Sequence, residues 1–298
     1  MRLSGILFAV VGLELVISLL CIWFYPSVGD FMASNSMWNG MRDSSSEIGA
    51  SDIDSLQDLP DLPQETALVL IPHIRPGDQE LSRVSLFVDG GGTLLLMDDY
   101  GYGNDVLSYL DLPVRFSNKP LLDPVFCYKN QWLPLITDFS PEVTQSGVRV
   151  VMLNHATALT GVEASQVIAW SSGNSFLDDD GSETWTEDEP RGPLPIAASL
   201  PLGKGTITVV SDPSIMINSM VKRQDNYRFM RYLCSQDGKQ LSILIDRSHL
   251  ATAPFDVSKM RLISFREMMR SPYVLLGVLG LIFVAVSRYT LWKGKSIG

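Results

Sequence analysis

The sequence predicts an α/β fold with a mostly parallel sheet, carried between two transmembrane helices. Three observations carry that prediction. Apolar strand-like runs alternate with helix-like segments from residue 67 to 110, long apolar runs lie near both ends, and a glycine-bearing hairpin followed by a helix occupies 196 to 234. A chain of 298 residues usually holds one or two domains.

The first element is a membrane anchor over residues 1–26. Leu3 to Trp23 contains one charge, Glu14, and at about 1.5 Å per residue it is long enough for a hydrocarbon core. No small-residue cleavage site follows Trp23, so the segment reads as an uncleaved anchor and not as a signal peptide. Residues 27–66 are rich in Ser and Asp, carry the turn-like stretch Ser36 to Gly40, and read as a polar linker.

The α/β domain is expected over 67–250. Its first half runs as a strand (Ala67 to Ile71), a helix (Asp78 to Val88), a strand (Thr93 to Met97) and a helix (Asn104 to Leu110), a spacing that implies right-handed crossovers between parallel strands. Gly90, Gly91 and Gly92 come after a helix and before a strand, the reverse of a phosphate-binding loop. They therefore read as a helix end and turn. Asp98-Asp99-Tyr100-Gly101-Tyr102-Gly103 has the order of a phosphate loop but brings two carboxylates to it. Short strands are expected at 114–116, 124–128 and 131–136, and the core pattern resumes at 148–153 and 166–170.

Ile196 to Leu200 and Thr206 to Val210, joined through Gly203 and Gly205, form a hairpin that Ser211-Asp212-Pro213 stops. A helix follows from Asp225, its N-cap, to Cys234, and the last strand, Ser242 to Ile245, runs into Asp246-Arg247-Ser248-His249. A juxtamembrane segment (251–270) leads to a second span (271–292). Ser271 to Ser287 is uncharged, and Tyr289 to Trp292 extends it into the interface. Arg2 precedes the first span, and Arg288, Lys293 and Lys295 follow the second, which places both ends in the cytoplasm and the domain outside. Lys259, Arg261, Arg266 and Arg270 vote the other way, but a long domain crosses largely regardless of flanking charge.

These motifs carry a resemblance. Trp38-Asn39-Gly40, the run from Phe87 to Asp99, the acidic loop near 180, the run from Gly203 to Asn218 and Asp225-Asn226 resemble uncharacterised membrane-anchored proteins of archaea and bacteria. The soluble domain of those proteins is similar to class I glutamine amidotransferases and to the auxiliary domain of gliding-type ABC transporters. The resemblance implies a flavodoxin-like or class I amidotransferase-like three-layer sandwich without an established activity. It also implies an acidic and histidine-bearing end to the domain, here Asp246 and His249, although Arg247 and Ser248 stand between them.

The chemistry such an amidotransferase would need is missing. Its cysteine sits on a strand-to-helix elbow, whereas here Val148 to Leu153 runs into Asn154-His155-Ala156. A formal charge of −10 argues against nucleic acid as a partner. Cys21, Cys127 and Cys234 have no zinc spacing and read as free thiols, with a Cys127 to Cys234 disulfide as the alternative. The run 176–187 aligns with a calcium loop if Gly181 takes the glycine position. Asp178, Asp180 and Glu187 would then ligate Ca2+, but Phe176 falls where the first ligand belongs.

Asp98, Asp99 and Asp212 each follow an apolar strand. Parallel strands would gather them at one rim with Asn218, Asn226, Asp246 and His249, as a recognition cleft or a cation site. Two functions remain. One is a non-catalytic scaffold or sensor outside the cell that recruits membrane partners, such as a transporter or an assembly driven by an AAA-type ATPase, with Glu14 touching a partner within the bilayer. The other is a membrane-anchored hydrolase working through carboxylates at the carboxyl edge of the sheet.

Overall fold

The computed structural model describes residues 3–236 and 238–295, and the chain divides into two units, Pro26–Ala251 and the segments flanking it. The larger unit is built on an eight-stranded sheet. Its strands, in chain order, are β1 (Ser51–Ile53), β2 (Thr66–Leu70), β3 (Thr93–Met97), β4 (Asp138–Phe139), β5 (Val167–Trp170), β6 (Pro195–Leu202), β7 (Gly205–Val210) and β8 (Ser242–Asp246). In space they run β1-β8-β2-β3-β7-β6-β5-β4. The pairs from β1 through β7 are parallel and the three pairs beyond β7 are antiparallel.

Helices pack on both faces. On one, Leu68, Leu70, Leu94, Leu96, Ile207 and Val209 meet Leu81, Val84, Phe87 and Val88 of helix α3 (Asp78–Asp89) and Val106 and Leu107 of helix α4 (Gly103–Tyr109). On the other, Val69, Leu95, Met97 and Val210 share a core with Phe229, Met230 and Leu233 of helix α6 (Asn226–Leu233). β2 and β3 are thus apolar on alternate residues of both faces, which is why each reads as an unbroken run. The triple glycine is a turn: Gly91 holds φ +109, and a Cβ on Gly92 would sit 2.4 Å from the Phe87 ring.

Four expectations need correcting. The 27–66 segment is no linker. It holds helix α2 (Arg42–Ile48) and edge strand β1, and it buries Met41, Leu56 and Leu59. The 148–153 run is not a strand of the large sheet. Only Val151–Met152 extends, pairing with Leu135–Ile136 in a separate ladder beside the short helix α5 (Pro141–Gln145). No strand forms over 124–128, where Cys127 makes a single bridge to Pro134. Asp225 stands at the N-cap of α6 without capping it, because its Oδ2 accepts from the backbone of Arg149 (2.9 Å) and Val150 (3.2 Å). All three cysteines are free, and burial pushes the Cys234 thiol up to about 12.

The second unit contains helices α1 (Leu3–Phe24), α7 (Pro254–Arg270) and α8 (Pro272–Lys295). Among the described residues Gly5–Phe24 alone is long and apolar enough by itself to cross a membrane, as a signal sequence near the N-terminus would also be. α7 and the first part of α8 reach that measure only together, bent by 74°. The carboxyl end of α1 meets α7: Lys259 Nζ donates to the Tyr25 carbonyl (2.6 Å), Tyr25 and Phe255 stack edge to face, and Arg266 lies over Trp23. The glycines Gly5 and Gly12 of α1 and Gly277 and Gly280 of α8 are not used for close packing between the two helices. A Cβ at Gly5, Gly12, Gly277 or Gly280 would meet nothing within 4 Å. Arg2 and the side chains of Lys293 and Lys295, on which the expected orientation leans, lie outside the described residues.

Candidate functional site

Because β3 and β7 are parallel neighbours with Met97 opposite Val210, the aspartates that follow them emerge at one rim. The Asp98 amide donates to the Val210 carbonyl (3.1 Å), and the chain turns there into α4. The anion in this phosphate-like loop is the protein's own. Asp98 Oδ1 accepts from the amides of Asp99 (2.9 Å) and Gly101 (2.8 Å), and Oδ2 accepts from that of Gly103 (2.6 Å). Glycine is required at both loop positions, since a Cβ at Gly101 or Gly103 would come within 2.7 Å of that carboxylate.

Asp212 is clamped in the same way. Its Oδ1 accepts from Ser214 (2.7 Å) and its Oδ2 from Asn154 (2.7 Å), so it ties the end of β7 to the loop after Val151–Met152. Both aspartates are fully buried. Burial raises Asp98 to about 6 and Asp212 to about 8, against the pull of the amide donors. Every carboxylate oxygen of the two side chains thus accepts at least one backbone amide.

The accessible chemistry of the rim belongs to their neighbours. Asp99 is half-buried and gives one oxygen to the Tyr100 amide (2.7 Å). Desolvation raises its carboxyl, while His73 and His155 act in the opposite sense. Burial lowers His73, which sits edge-on to Phe31 with centroids 5.1 Å apart. His155 is exposed in a left-handed conformation (φ +57) and stacks on Trp132 at 4.6 Å, while the exposed Tyr100 donates to the Ala156 carbonyl (3.3 Å). Tyr100 and His155 come from loops after strand ends, while Trp132 lies in a turn just before Leu135–Ile136, within a run that reads as strand in the sequence.

Asn218 and Asn226 do not join the rim. Asn218 accepts from Asp43 N (2.8 Å) and donates to the carbonyls of Asn35 (3.1 Å) and Met37 (2.6 Å), so it holds the loop that presents Trp38. Asn226 is buried and bonds to both backbone groups of Met152 and to the Met220 carbonyl. Their polar atoms brace the backbone, at positions up to 183 residues away in the chain.

Asp246 and His249 lie at the same edge of the sheet, at the end of β8. β2 separates that strand from β3, which puts the pair about 10 Å across the sheet from Asp98. His249 Nδ1 faces both Asp246 Oδ2 (2.7 Å) and Ser248 Oγ (3.1 Å), and Nε2 faces Glu80 Oε2 (3.3 Å). A serine hydrolase needs one imidazole nitrogen on the carboxylate and the other on the hydroxyl. Here serine and aspartate share one nitrogen and a second carboxylate holds the other, which is not the serine-hydrolase arrangement; the contacts tie the end of β8 to α3.

The acidic loop does gather carboxylates, and Asp178 and Asp180 are two of the three expected, but the third is a different glutamate. Asp178, Asp180 and Glu189 offer oxygens within 4.8 Å of one another, and Glu187 is absent from the group. The loop closes where Leu177 N bonds the Pro190 carbonyl, so the residue just before Pro190 faces Asp178. A groove of about 970 Å³ lies elsewhere, at the amino ends of β3 and β7. It is lined by Thr93, Thr206, Thr208 and Ser199 of the sheet and by Arg228 and Arg231 of α6.

The chain is similar to several solved structures. The mmIFT52 N-terminal domain shares 15% identity over 57% of this chain and 79% of its own, with a TM-score of 0.45. A β-galactosidase from Bacillus circulans sp. alkalophilus shares 12% over 59% of this chain and 23% of its own, with a TM-score of 0.34. A ThuA-like protein from Bacteroides uniformis shares 10% over 68% and 79%, with a TM-score of 0.35. No curated protein matches. A family model, a domain of unknown function designated DUF4350, matches residues 38–234, from the Trp38 loop through α6, and the chain belongs to that family.

Proposed function

We propose that this protein is a non-catalytic binding domain tethered to a membrane, whose rim of Asp99, Tyr100, Trp132 and His155 recognises a membrane partner such as a transporter or an ATPase-linked assembly. The supporting observation is that Asp98 and Asp212, the carboxylates placed where an open α/β enzyme would hold its chemistry, are buried and bonded to backbone amides on both oxygens. The accessible groups around them are aromatic and weakly charged, a composition suited to recognition. An amidotransferase-like or flavodoxin-like ancestry without the cysteine elbow fits this reading. So does a two-pass topology with the domain outside the cytoplasm, in which α1 and the α7–α8 pair are the two tethers and Glu14 faces a partner in the bilayer.

The test is recovery of partners from membranes with the full chain. Trp132→Ala combined with His155→Ala should lose at least about nine-tenths of the co-purifying protein, while Arg231→Ala, in the distant groove, retains it. Ester or amide hydrolysis by the purified chain that disappears in Asp99→Asn would overturn the non-catalytic reading. Protease added outside intact cells should cut within residues 178–189 and leave terminal tags protected. Protected loops with exposed tags would reverse the topology.

A further inference from the structure

Two carboxylates of the acidic loop are removed from water without a cation, and unlike Asp98 and Asp212 they lie within one cluster with a third. Asp178 is 3% exposed and Glu189 6%. Among the described residues no lysine or arginine forms an ion pair with Asp178, Asp180 or Glu189. Lys119 reaches only the neighbouring Asp179, at 3.8 Å, and Arg191 lies over the Trp185 ring. Three carboxylates with oxygens inside 4.8 Å repel one another, and burial of Asp178 and Glu189, beside the exposed Asp180, strengthens the repulsion between those two by lowering the local dielectric.

The backbone is arranged to hold this unfavourable cluster together. At one end of the loop Asp178 N donates to the Pro120 carbonyl (2.9 Å), and at the other Leu177 N donates to that of Pro190 (3.0 Å). Between these clamps Gly181 and Glu183 both take left-handed conformations (φ +75 and +58), a strain that glutamate adopts rarely. The resulting fold lets Glu183 N reach Asp178 Oδ2 (3.3 Å), Ser182 N reach Asp180 Oδ1 (2.8 Å), and the amides of Asp179 (2.8 Å) and Thr186 (3.0 Å) reach the two oxygens of Glu189.

One atom is left out. Asp178 Oδ1 is buried and accepts no hydrogen bond, in a side chain otherwise held by a single long contact. An orphaned carboxylate oxygen inside a cluster of three is costly unless something positive binds there. Every converging group is a hard oxygen, with no histidine or thiol among them, which suits Ca2+. The converging oxygens come from one irregular loop and are not set on an octahedron, which favours Ca2+, with its variable coordination, over Mg2+ with its stricter octahedron.

We infer that Asp178, Asp180 and Glu189 form a calcium site that closes the 178–189 loop. The site differs from a helix-flanked calcium loop in its last ligand, which is Glu189 and not Glu187. Trp185 provides a reporter, because its Nε1 donates to the Glu189 carbonyl at 3.3 Å.

The full chain in detergent, stripped of divalent ions, would be titrated with CaCl2 while tryptophan fluorescence and the thermal midpoint are followed. A single saturable transition is expected, with a dissociation constant on the order of 0.1–1 mM, the range of extracellular calcium modules, together with a rise in the midpoint. The fluorescence change should vanish in Trp185→Phe while calorimetric binding persists. Asp178→Asn and Glu189→Gln should each weaken binding at least tenfold, Glu187→Gln should leave it unchanged, and Mg2+ should bind at least tenfold more weakly. No saturable binding by the folded wild-type chain at 10 mM CaCl2 would overturn the inference. So would loss of binding in Glu187→Gln alone, or equal affinity for Mg2+. The wild-type titration decides even if a variant fails to fold.

Discussion

Asp98 shows how one side chain can answer a question that a motif only raises. A loop of glycines after a parallel strand collects inward-pointing amides, and such a loop binds an anion whether the anion comes from outside or from the chain. Here the carboxylate is one residue beyond the strand and fills the loop itself, bonding Asp99, Gly101 and Gly103. Replacing Asp98 with Ala would leave three amides without their acceptor. The expected loss is about 3 kcal/mol, moderated by water that enters the gap. Asp99→Ala, one position along, is expected to change stability by less than about 1 kcal/mol. Urea unfolding of both variants would check this, and equal losses would mean that Asp98 does not organise the loop. The identity of Asp98 as a strand-end carboxylate was legible in the sequence. Its role was not, because the donors are backbone groups whose direction depends on the turn. The bonds of Asn218 and Asn226 are hard to read from sequence for a related reason: most of their partners are far away in the chain, and no local spacing marks them.

At the scale of elements, α3 and β8 are joined through the buried His249, between Asp246 and the partly exposed Glu80, by a contact whose strength depends on pH. Desolvation works to lower His249, but the hydrogen bond and charge of Asp246, with Glu80 added, raise it above its ordinary value. A raised folded value means that the brace contributes fully below about pH 6.5 and that its ionic part is lost as pH rises through the folded pKa. Asp98 and Asp212 are also raised, so their contributions weaken in the same direction over lower and overlapping ranges. The urea midpoint of the wild-type chain is therefore expected to fall between pH 5 and 9. His249→Gln should lower stability by about 3 kcal/mol at pH 6, and the gap should narrow by pH 9. A gap that is constant across that range would mean that the imidazole carries no charge in the fold. The elements that could be read from sequence were those with strong local signals: the buried runs of β2 and β3, the amphipathic α3, and the glycine hairpin of β6 and β7. β1 and α2 could not, since a three-residue edge strand containing Ser51 and Asp52 has no apolar face to display.

For the whole molecule, the strand order contains a feature that chain order hides. β8 is the last strand made, yet it lies between β1 and β2, with Leu244 opposite both Ser51 and Leu68. Until it arrives, β2 presents a bare parallel edge and β1 has no partner at all, an arrangement that invites misassociation. Assembly must therefore wait for nearly the full length of the domain to be synthesised and, if it is exported, to cross the membrane, before the gap is filled from the carboxyl side. A chain ended after Cys234, where the family match also stops, should be cleared by proteases. One ended after Ala251 should give a resistant core, and equal resistance of the two would show that the insertion is dispensable. On this order an interrupted product is expected to differ from a finished one by an open seam in the middle of its sheet, and not by a missing edge.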